Sequence, residues 1–296
     1  MNKLIKQAFT LIELLVVIAI IGILSGLIIV SMGGMTQKAT IAKAQVFSNS
    51  LRNSLLNNIT AQYSFDDIVD YNTSTKVLNS TAGNVPDSWN NNDGQAYGGI
   101  ILKEESNCIS GHCLSFDGTD DYTNHGDIFD SLSNMSYGFW AKKISENNRF
   151  VLSKGYNNFG FILGNSSCII YFSNGSGGYT PIGLNINVQT TEWNYYVVSK
   201  NGTTVALYVN GTSVSSGPHS IPVTLPNTAF NFNIGRDSQE SNLYFDGLID
   251  DVRIYNEAML TSQIKENYYI GLNSLLANSN IDAREYGERI NSIALK

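Results

Sequence analysis

One apolar run near the amino end, Phe9 to Val30 (FTLIELLVVIAIIGILSGLIIV), constrains this chain more than any other feature. As a helix, its 22 residues rise about 33 Å, enough to span a hydrocarbon core of about 30 Å. Lys3 and Lys6 precede the run and no positive charge follows until Lys38. That asymmetry places the amino terminus in the cytoplasm and the rest outside, a single-pass topology. A secretory signal peptide is the competing reading. Its apolar region is usually about 7–15 residues and ends at a small-residue cleavage site, whereas this run is longer and no A-x-A site closes it. Glu13 interrupts the run, and an acid costs on the order of 2.5–3.5 kcal/mol near the centre of a membrane helix. Such a residue calls for a partner, unless it sits near the membrane edge and reaches the headgroups.

Beyond Met32 the pattern changes. Gly33 and Gly34 weaken the helix, each by about 1 kcal/mol relative to Ala. Ile41, Ala44, Phe47, Leu51, Leu55 and Ile59 then recur at helical spacing, with Lys38, Lys43, Gln45 and Arg52 between them. This predicts an amphipathic helix over 35–60 whose apolar stripe lies against another surface. A globular head is one such surface and a membrane the other, the latter disfavoured by the few cations on the polar face.

The segment KQAFTLIELLVVIAIIGIL resembles the prepilin-type amino terminus of type IV pilins and of the pseudopilins of secretion and DNA-uptake systems. The resemblance implies cleavage between Ala8 and Phe9 by a prepilin peptidase and N-methylation of Phe9. Ala8 stands where the family usually has Gly. The resemblance also implies that Glu13, the fifth mature residue, pairs with the terminal amine of a neighbouring subunit during filament assembly. A free amine with a pKa near 8 is mostly protonated at neutral pH and neutralises a buried carboxylate. In the family, the half-helix corresponding to 35–60 packs on the globular head.

Composition bounds the remainder. The chain has 18 Lys+Arg against 25 Asp+Glu, a formal net charge of −7, and 43% hydrophobic residues. That is enough apolar material for a core. The acidic balance, without any basic run, argues against nucleic-acid binding, which needs clustered cations. From Tyr63 to Tyr255 the helical period gives way to short β-rich runs: MSYGFWAK, RFVLSKG, FGFILG, CIIYF, WNYYVVSK, TTVALYVN, FNFNIG and FDGLIDDVRIY. Asp-Gly or Asn-Gly pairs begin at Asp93, Asp117, Asn174, Asn201, Asn210 and Asp246, residues suited to tight hairpins. Regularly spaced strands with such turns predict a sandwich or jelly roll.

Several pieces are similar to laminin-G-like, concanavalin-A-like jelly rolls: LSFDGTDDYT, the Trp140 strand, Trp193 to Gly211, and FDGLIDDVRIYNEAM. DSWNNNDG resembles the family's early Asp/Asn/Gly loop, and NCISGHCLSFDG resembles members with a disulfide just before that strand. The expected fold class is α+β: a long amino-terminal helix, an all-β jelly roll and a short helical tail. The expected divisions are a leader (1–8), a helix (9–60, with a membrane or filament half 9–32 and an amphipathic half 35–60), a jelly roll (61–256) and a tail (257–296). In the tail, Thr261 is the expected N-cap, and Ile264, Tyr268, Leu272, Leu275 and Leu276 keep helical spacing. Asn278–Ser279 breaks it, and a second helix begins near Asp282 with Tyr286, Ile290 and Ile293 on one side. Similar tails in the family imply docking on the head or on the amphipathic helix.

Candidate site residues follow. Cys108 and Cys113 enclose four residues, close enough to bridge across a turn, while Cys168 sits in an apolar stretch and reads as buried. Zinc is disfavoured because neither a C-x-x-C nor an H-x-x-x-H element exists. In FDGLIDDVRIY, strand alternation puts Asp250 with Leu248, Val252 and Ile254. If that face is buried, Asp250 lies inside the sandwich and needs backbone N–H groups or a calcium ion. Asp66 and Asp87 are the further calcium ligands in the second case. Trp140 and Trp193 read as core, and the family resemblance also places them inside. Trp89, Tyr171 and Tyr179, in or near polar Gly/Asn-rich stretches, could stack on sugar rings; scattered surface aromatics are the plainer reading.

The chain contains no E-x-D-x-x-E strand motif of the glycoside hydrolases that share this fold. G-x-S-x-G, a phosphate loop and H-E-x-x-H are also missing from the sequence. The expectation is a non-enzymatic subunit of a type IV pilus or of a secretion or competence pseudopilus, with no cofactor required. Other pilin subunits and the peptidase are its expected partners, and it sits in the cytoplasmic membrane before assembly. Afterwards it is an extracellular filament or surface component. The alternative is an adhesin whose jelly roll binds polysaccharide.

Overall fold

Chain elements fall into two units, Met1–Asn53 and Ser54–Lys296. The computed structural model describes residues 11–12, 14–21, 58–145, 148–186, 188–239 and 243–294. In the first unit, residues 11–12 and 14–21 are helical and exposed. Ala8, Phe9 and Glu13, and positions 35–57 of the expected amphipathic helix, lie outside the described residues. Among the described residues, no helix is long and apolar enough to cross a membrane.

In the second unit the strands run β1 (Ile59–Tyr63), β2 (Gln95–Tyr97), β3 (Ile101–Lys103), β4 (Cys113–Asp117) and β5 (Tyr122–Asn124). They continue with β6 (Asn134–Lys143), β7 (Arg149–Ser153), β8 (Phe159–Leu163), β9 (Ser167–Ser173) and β10 (Tyr179–Asn185). The last are β11 (Asn194–Asn201), β12 (Thr204–Val209), β13 (Thr212–Pro218), β14 (Asn233–Ile234) and β15 (Asp246–Tyr255). Two antiparallel sheets form. The first has the order β13-β12-β11-β6-β15-β4-β3, with β1 also pairing β15, and the second has the order β10-β9-β8-β7-β14-β5-β2. Alternation along the strands fills the space between them: Tyr137, Phe139, Tyr196, Val198, Val252 and Ile254 from the first sheet meet Phe159, Phe161, Ile170 and Phe172 from the second.

Ile59 belongs to this sheet and not to a helix. Its segment buries every second residue, Ile59, Ala61 and Tyr63, which is the period of a strand. Asn210–Gly211 makes the turn between β12 and β13 with φ of 51° and 74°, the left-handed pair that a two-residue hairpin requires. Asp246–Gly247 is not a turn: both residues are paired within β15, opposite Asp117 and Phe116.

Two carboxy-terminal helices, Thr261–Ala277 and Ala283–Ala294, cover the outer face of the first sheet. The first buries Ile264, Tyr268, Leu272 and Leu275 completely, each contributing about 1.5–3 kcal/mol by leaving water. Tyr268 stacks on Trp140 at 5.5 Å, and Gly271 permits the approach, since a Cβ there would stand 2.4 Å from the Trp140 ring. Trp140 and Trp193 are therefore buried under the tail and not between the sheets. Thr261 is the first helical residue and not the cap. Leu260 holds the cap position, and its N–H donates to Gln263 Oε1 at 2.8 Å. The second helix starts where Asp282 Oδ1 accepts the Glu285 amide at 2.7 Å.

Candidate ligand-binding face

With the first sheet's outer face covered by the tail, the second sheet's outer face is the other broad surface of the sandwich. Its residues are fixed by strand parity. Ala96, Phe161, Ile170 and Ile234 point into the core, so their chain neighbours point out. Pairing places Pro181, Tyr171, Gly160, Ser153, Asn233, Asn124 and Gln95 in one row across all seven strands.

Aromatic clusters lie toward both ends of this face. At one end Tyr156 stacks on Tyr179 at 4.7 Å, with Tyr171 beneath them at 5.2 and 5.5 Å. Gly160 leaves room for the Tyr171 ring, which a Cβ there would approach to 2.7 Å. At the other end Tyr97 and Tyr122 are stacked 4.7 Å apart at 6°. Arg236 Cζ sits over Tyr122 at 4.2 Å and over Tyr244 at 5.8 Å. Residues 236–239 cross the face between the clusters. The Asp237 carboxylate takes the Ser153 hydroxyl and the Gln239 amide, and Gln239 Oε1 accepts the Tyr156 amide at 2.9 Å.

The sequence-predicted ligand residues separate here. Tyr179 is 45% exposed and presents a ring to solvent. Tyr171 is 2% exposed, so it supports the platform and offers no face of its own. Burial pushes its hydroxyl pKa well up. Trp89 is 44% exposed but sits in the Asp87 loop, where its amide donates to Asp87 Oδ1. No ring contact joins Trp89 to the tyrosines among the described residues.

Asp250 is not inside the sandwich. Asp251 has φ of 49° and the β15–β6 register shifts between Asp250 and Arg253. This bulge inverts the alternation: Ile249 and Val252 both face the core, while Leu248 and Asp250 face outward. Asp250 is nevertheless 1% exposed, because the CISGHC loop lies over it. Its Oδ2 accepts the Ile109 amide at 2.8 Å and the Ser110 amide at 3.4 Å. Burial first, then the neighbouring Asp251 charge, raises its pKa well above the carboxylate range against the pull of those two amides. The loop is closed by the Cys108–Cys113 disulfide.

Asp66 and Asp250 line one cavity of about 130 Å³ with Gln62, Ser64, Asp251 and Arg253. Asp87 does not line it. Its oxygens accept the Gln62, Trp89 and Asn92 amides, and Asp66 Oδ1 accepts the His112 amide. Asp250 lies within 4.8 Å of the Cys108 and Cys113 sulfurs, which are already joined to each other, and neither Asp66 nor Asp87 falls in such a cluster among the described residues. Asp66 and Asp250 thus share a cavity from which Asp87 stands apart, so the three do not line one calcium shell.

Residues 117–265, 149 of the chain's 296, match the family described as the concanavalin A-like lectin/glucanases superfamily. The chain belongs to this superfamily. A prokaryotic N-terminal methylation motif matches residues 5–29, so the superfamily domain is carried behind a pilin-type amino terminus. A search of curated proteins gives no match.

Solved structures share the fold. Domain 4 of AbnA, a GH43 extracellular arabinanase from Geobacillus stearothermophilus, in complex with arabinotriose, matches at 18% identity and TM-score 0.52, over 71% of this chain and 97% of that one. The binding domain of Paraclostridial Mosquitocidal Protein 1 matches at 11% identity and TM-score 0.56, over 74% and 53%. The botulinum neurotoxin serotype D binding domain matches at 14% and 0.54, over 74% and 53%. The chain thus spans about half the length of these toxin binding domains.

Sequence reasoning missed Tyr97, Tyr122, Tyr156, Arg236 and Tyr244 on this face. Strand parity applied to QAYG and DYTN would have put Tyr97 and Tyr122 on one face. No local pattern signals that residues 236–239 cross the sheet.

Proposed function

We propose that this chain is a non-enzymatic, pilin-like subunit of a type IV pilus or a type II secretion or competence pseudopilus. After cleavage between Ala8 and Phe9 and methylation of Phe9, it enters a filament through its apolar helix. Before assembly it spans the cytoplasmic membrane once, amino terminus inside. Glu13 carries the assembly step by meeting the ammonium end of an adjoining subunit, which neutralises a carboxylate that hydrocarbon would otherwise penalise. The methylation motif supports this reading.

A second reading is favoured by one observation, the aromatic clusters toward the two ends of the second sheet's outer face. The middle of that face is buried, with Phe150 and Ile162 packed against Leu243, while Tyr179 stays exposed at one end. On this reading the head is an adhesin that takes polysaccharide across the second sheet, tyrosine rings stacking on sugars. The arabinotriose complex of AbnA domain 4, a relative in fold, points the same way.

The test is a pair of variants. Glu13→Ala should abolish recovery of the subunit in sheared surface filaments, and unchanged recovery removes the assembly reading. Tyr179→Ala should lower retention of the full chain on a polysaccharide panel, and a parent protein that binds nothing on the panel removes the adhesin reading.

A further inference from the structure

We propose that Arg236, with Tyr97, Tyr122 and Tyr244, forms a carboxylate subsite, and that the polysaccharide taken by this face bears uronate groups. The inference rests on the adhesin reading and narrows its ligand. Arg236 is a half-buried cation without a carboxylate partner among the described residues, whereas Arg253, Arg284 and Arg289 are each ion-paired. Its Nε is spent on the Asp237 carbonyl at 2.8 Å. Nη1 makes a long contact of 3.5 Å with Tyr244 Oη, and no hydrogen bond of Nη2 occurs among the described residues.

The neighbouring acid does not quench it. Asp237 holds Ser153 Oγ and the Gln239 amide, and it is fully buried. Asp120 is exposed, and the buried Asp121 carboxylate, next to Tyr122, accepts the Gly99 and Asp117 amides. A guanidinium over an aromatic ring is held in place at little hydration cost, since it is more weakly hydrated than an ammonium. With its position fixed by Tyr122 and Nε, its outer edge is left to bind a planar anion through two parallel N–H donors. A sugar carboxylate has that geometry, and Tyr244 Oη adds a hydroxyl beside it.

The spacing favours a polymer over a single sugar. Tyr171 on β9 and Tyr122 on β5 are four strand steps apart, about 19 Å at the usual spacing. A chain reaching from Tyr179 to Arg236 therefore covers several sugar units. Because the whole protein is acidic, long-range attraction does not recruit such a ligand. Binding has to arise at this cation.

The experiment measures binding of the detergent-solubilised full chain to polygalacturonate and to the same polymer fully methyl-esterified, at physiological salt. The free acid should bind at least tenfold more tightly than the ester. Arg236→Gln should erase that difference, and Arg236→Lys, which keeps charge without the planar fork, should restore only part of it. Equal binding of acid and ester, no binding of the acid, an unaffected Arg236→Gln variant, or equal retention of single-stranded DNA would each overturn the inference. The adhesin reading survives that failure if neutral glycans are still bound and Tyr179→Ala still reduces their binding. It falls with the inference if no glycan is retained.

Discussion

The Ile109 amide donates to Asp250 Oδ2 at 2.8 Å, joining positions 141 residues apart through a carboxylate that is almost completely buried. The loop that supplies this donor also takes Trp193 Nε1 on Asn107 O, Asn278 Nδ2 on Ile109 O and Asn280 Nδ2 on Cys108 O. Strand β15, the disulfide loop and the tail are thus one hydrogen-bonded unit.

Replacing Asp250 by Asn tests the charge state of that acid. Burial raises its folded pKa above the unfolded value near 4. Its stabilising contribution is therefore complete below about pH 4 and is lost as pH rises through the folded value. Asp250→Asn keeps an oxygen for the Ile109 amide and cannot ionise. It should melt no lower than the parent at pH 7 and show a flatter dependence from pH 4 to 8 by thermal denaturation; a loss above about 2 kcal/mol contradicts this.

His125 gives the opposite slope. It is buried between Thr123 Oγ1 at 2.8 Å and the Asn92 carbonyl at 3.3 Å, and burial lowers its pKa from 6.5 to about 4. Its contribution is present above pH 6.5 and lost as pH falls toward 4. The parent's stability advantage over His125→Gln should shrink by up to about 3 kcal/mol over that window, at 1.36 kcal/mol per pH unit. Urea melts at pH 7 and pH 4 measure the difference, and a constant gap rejects it.

Reduction of Cys108–Cys113 should cost about 2 kcal/mol from loop-closure entropy alone. The loop's donors to Asp250 and acceptors for the tail loosen with it. Cys108→Ser should therefore expose the tail to protease and lower the melting midpoint. An unchanged midpoint in reductant argues that the hydrogen bonds hold the loop by themselves.

Gly271→Ala sets two effects against each other. Helix propensity gains about 1 kcal/mol, while the new methyl overlaps the Trp140 ring, an overpacking worth about 1–3 kcal/mol. The clash should prevail, so the variant should be destabilised, with tryptophan emission shifted to the red. A stabilised variant would mean the tail stands farther from Trp140.

Much of the sandwich was legible because its signals are local. Alternating Tyr137, Phe139 and Ala141 mark a strand, and Asn210–Gly211 marks a hairpin. Tyr268, Leu272 and Leu275 mark a helix with one apolar side. What escaped depended on non-local geometry. The parity of Asp250 failed because one left-handed residue, Asp251, inserts a bulge that alternation cannot register. Asp66 and Asp87 accept backbone amides of other segments, and composition alone does not separate carboxylates that cap loop amides from those that bind cations. Tyr171 stands on the outer face of the second sheet, yet its burial depends on Tyr156 and Tyr179 arriving from other segments. Arg236 carried no sequence signal, since its meaning comes from the ring beneath it.

The helices that seal the first sheet also decide where an appended label would emerge. Ile293, near the end of the last helix, is tucked into that sealed side, so a fluorescent protein fused after it projects from the back of the sandwich. Tyr179 and Arg236 look the other way, so such a fusion leaves the front of the sandwich unobstructed.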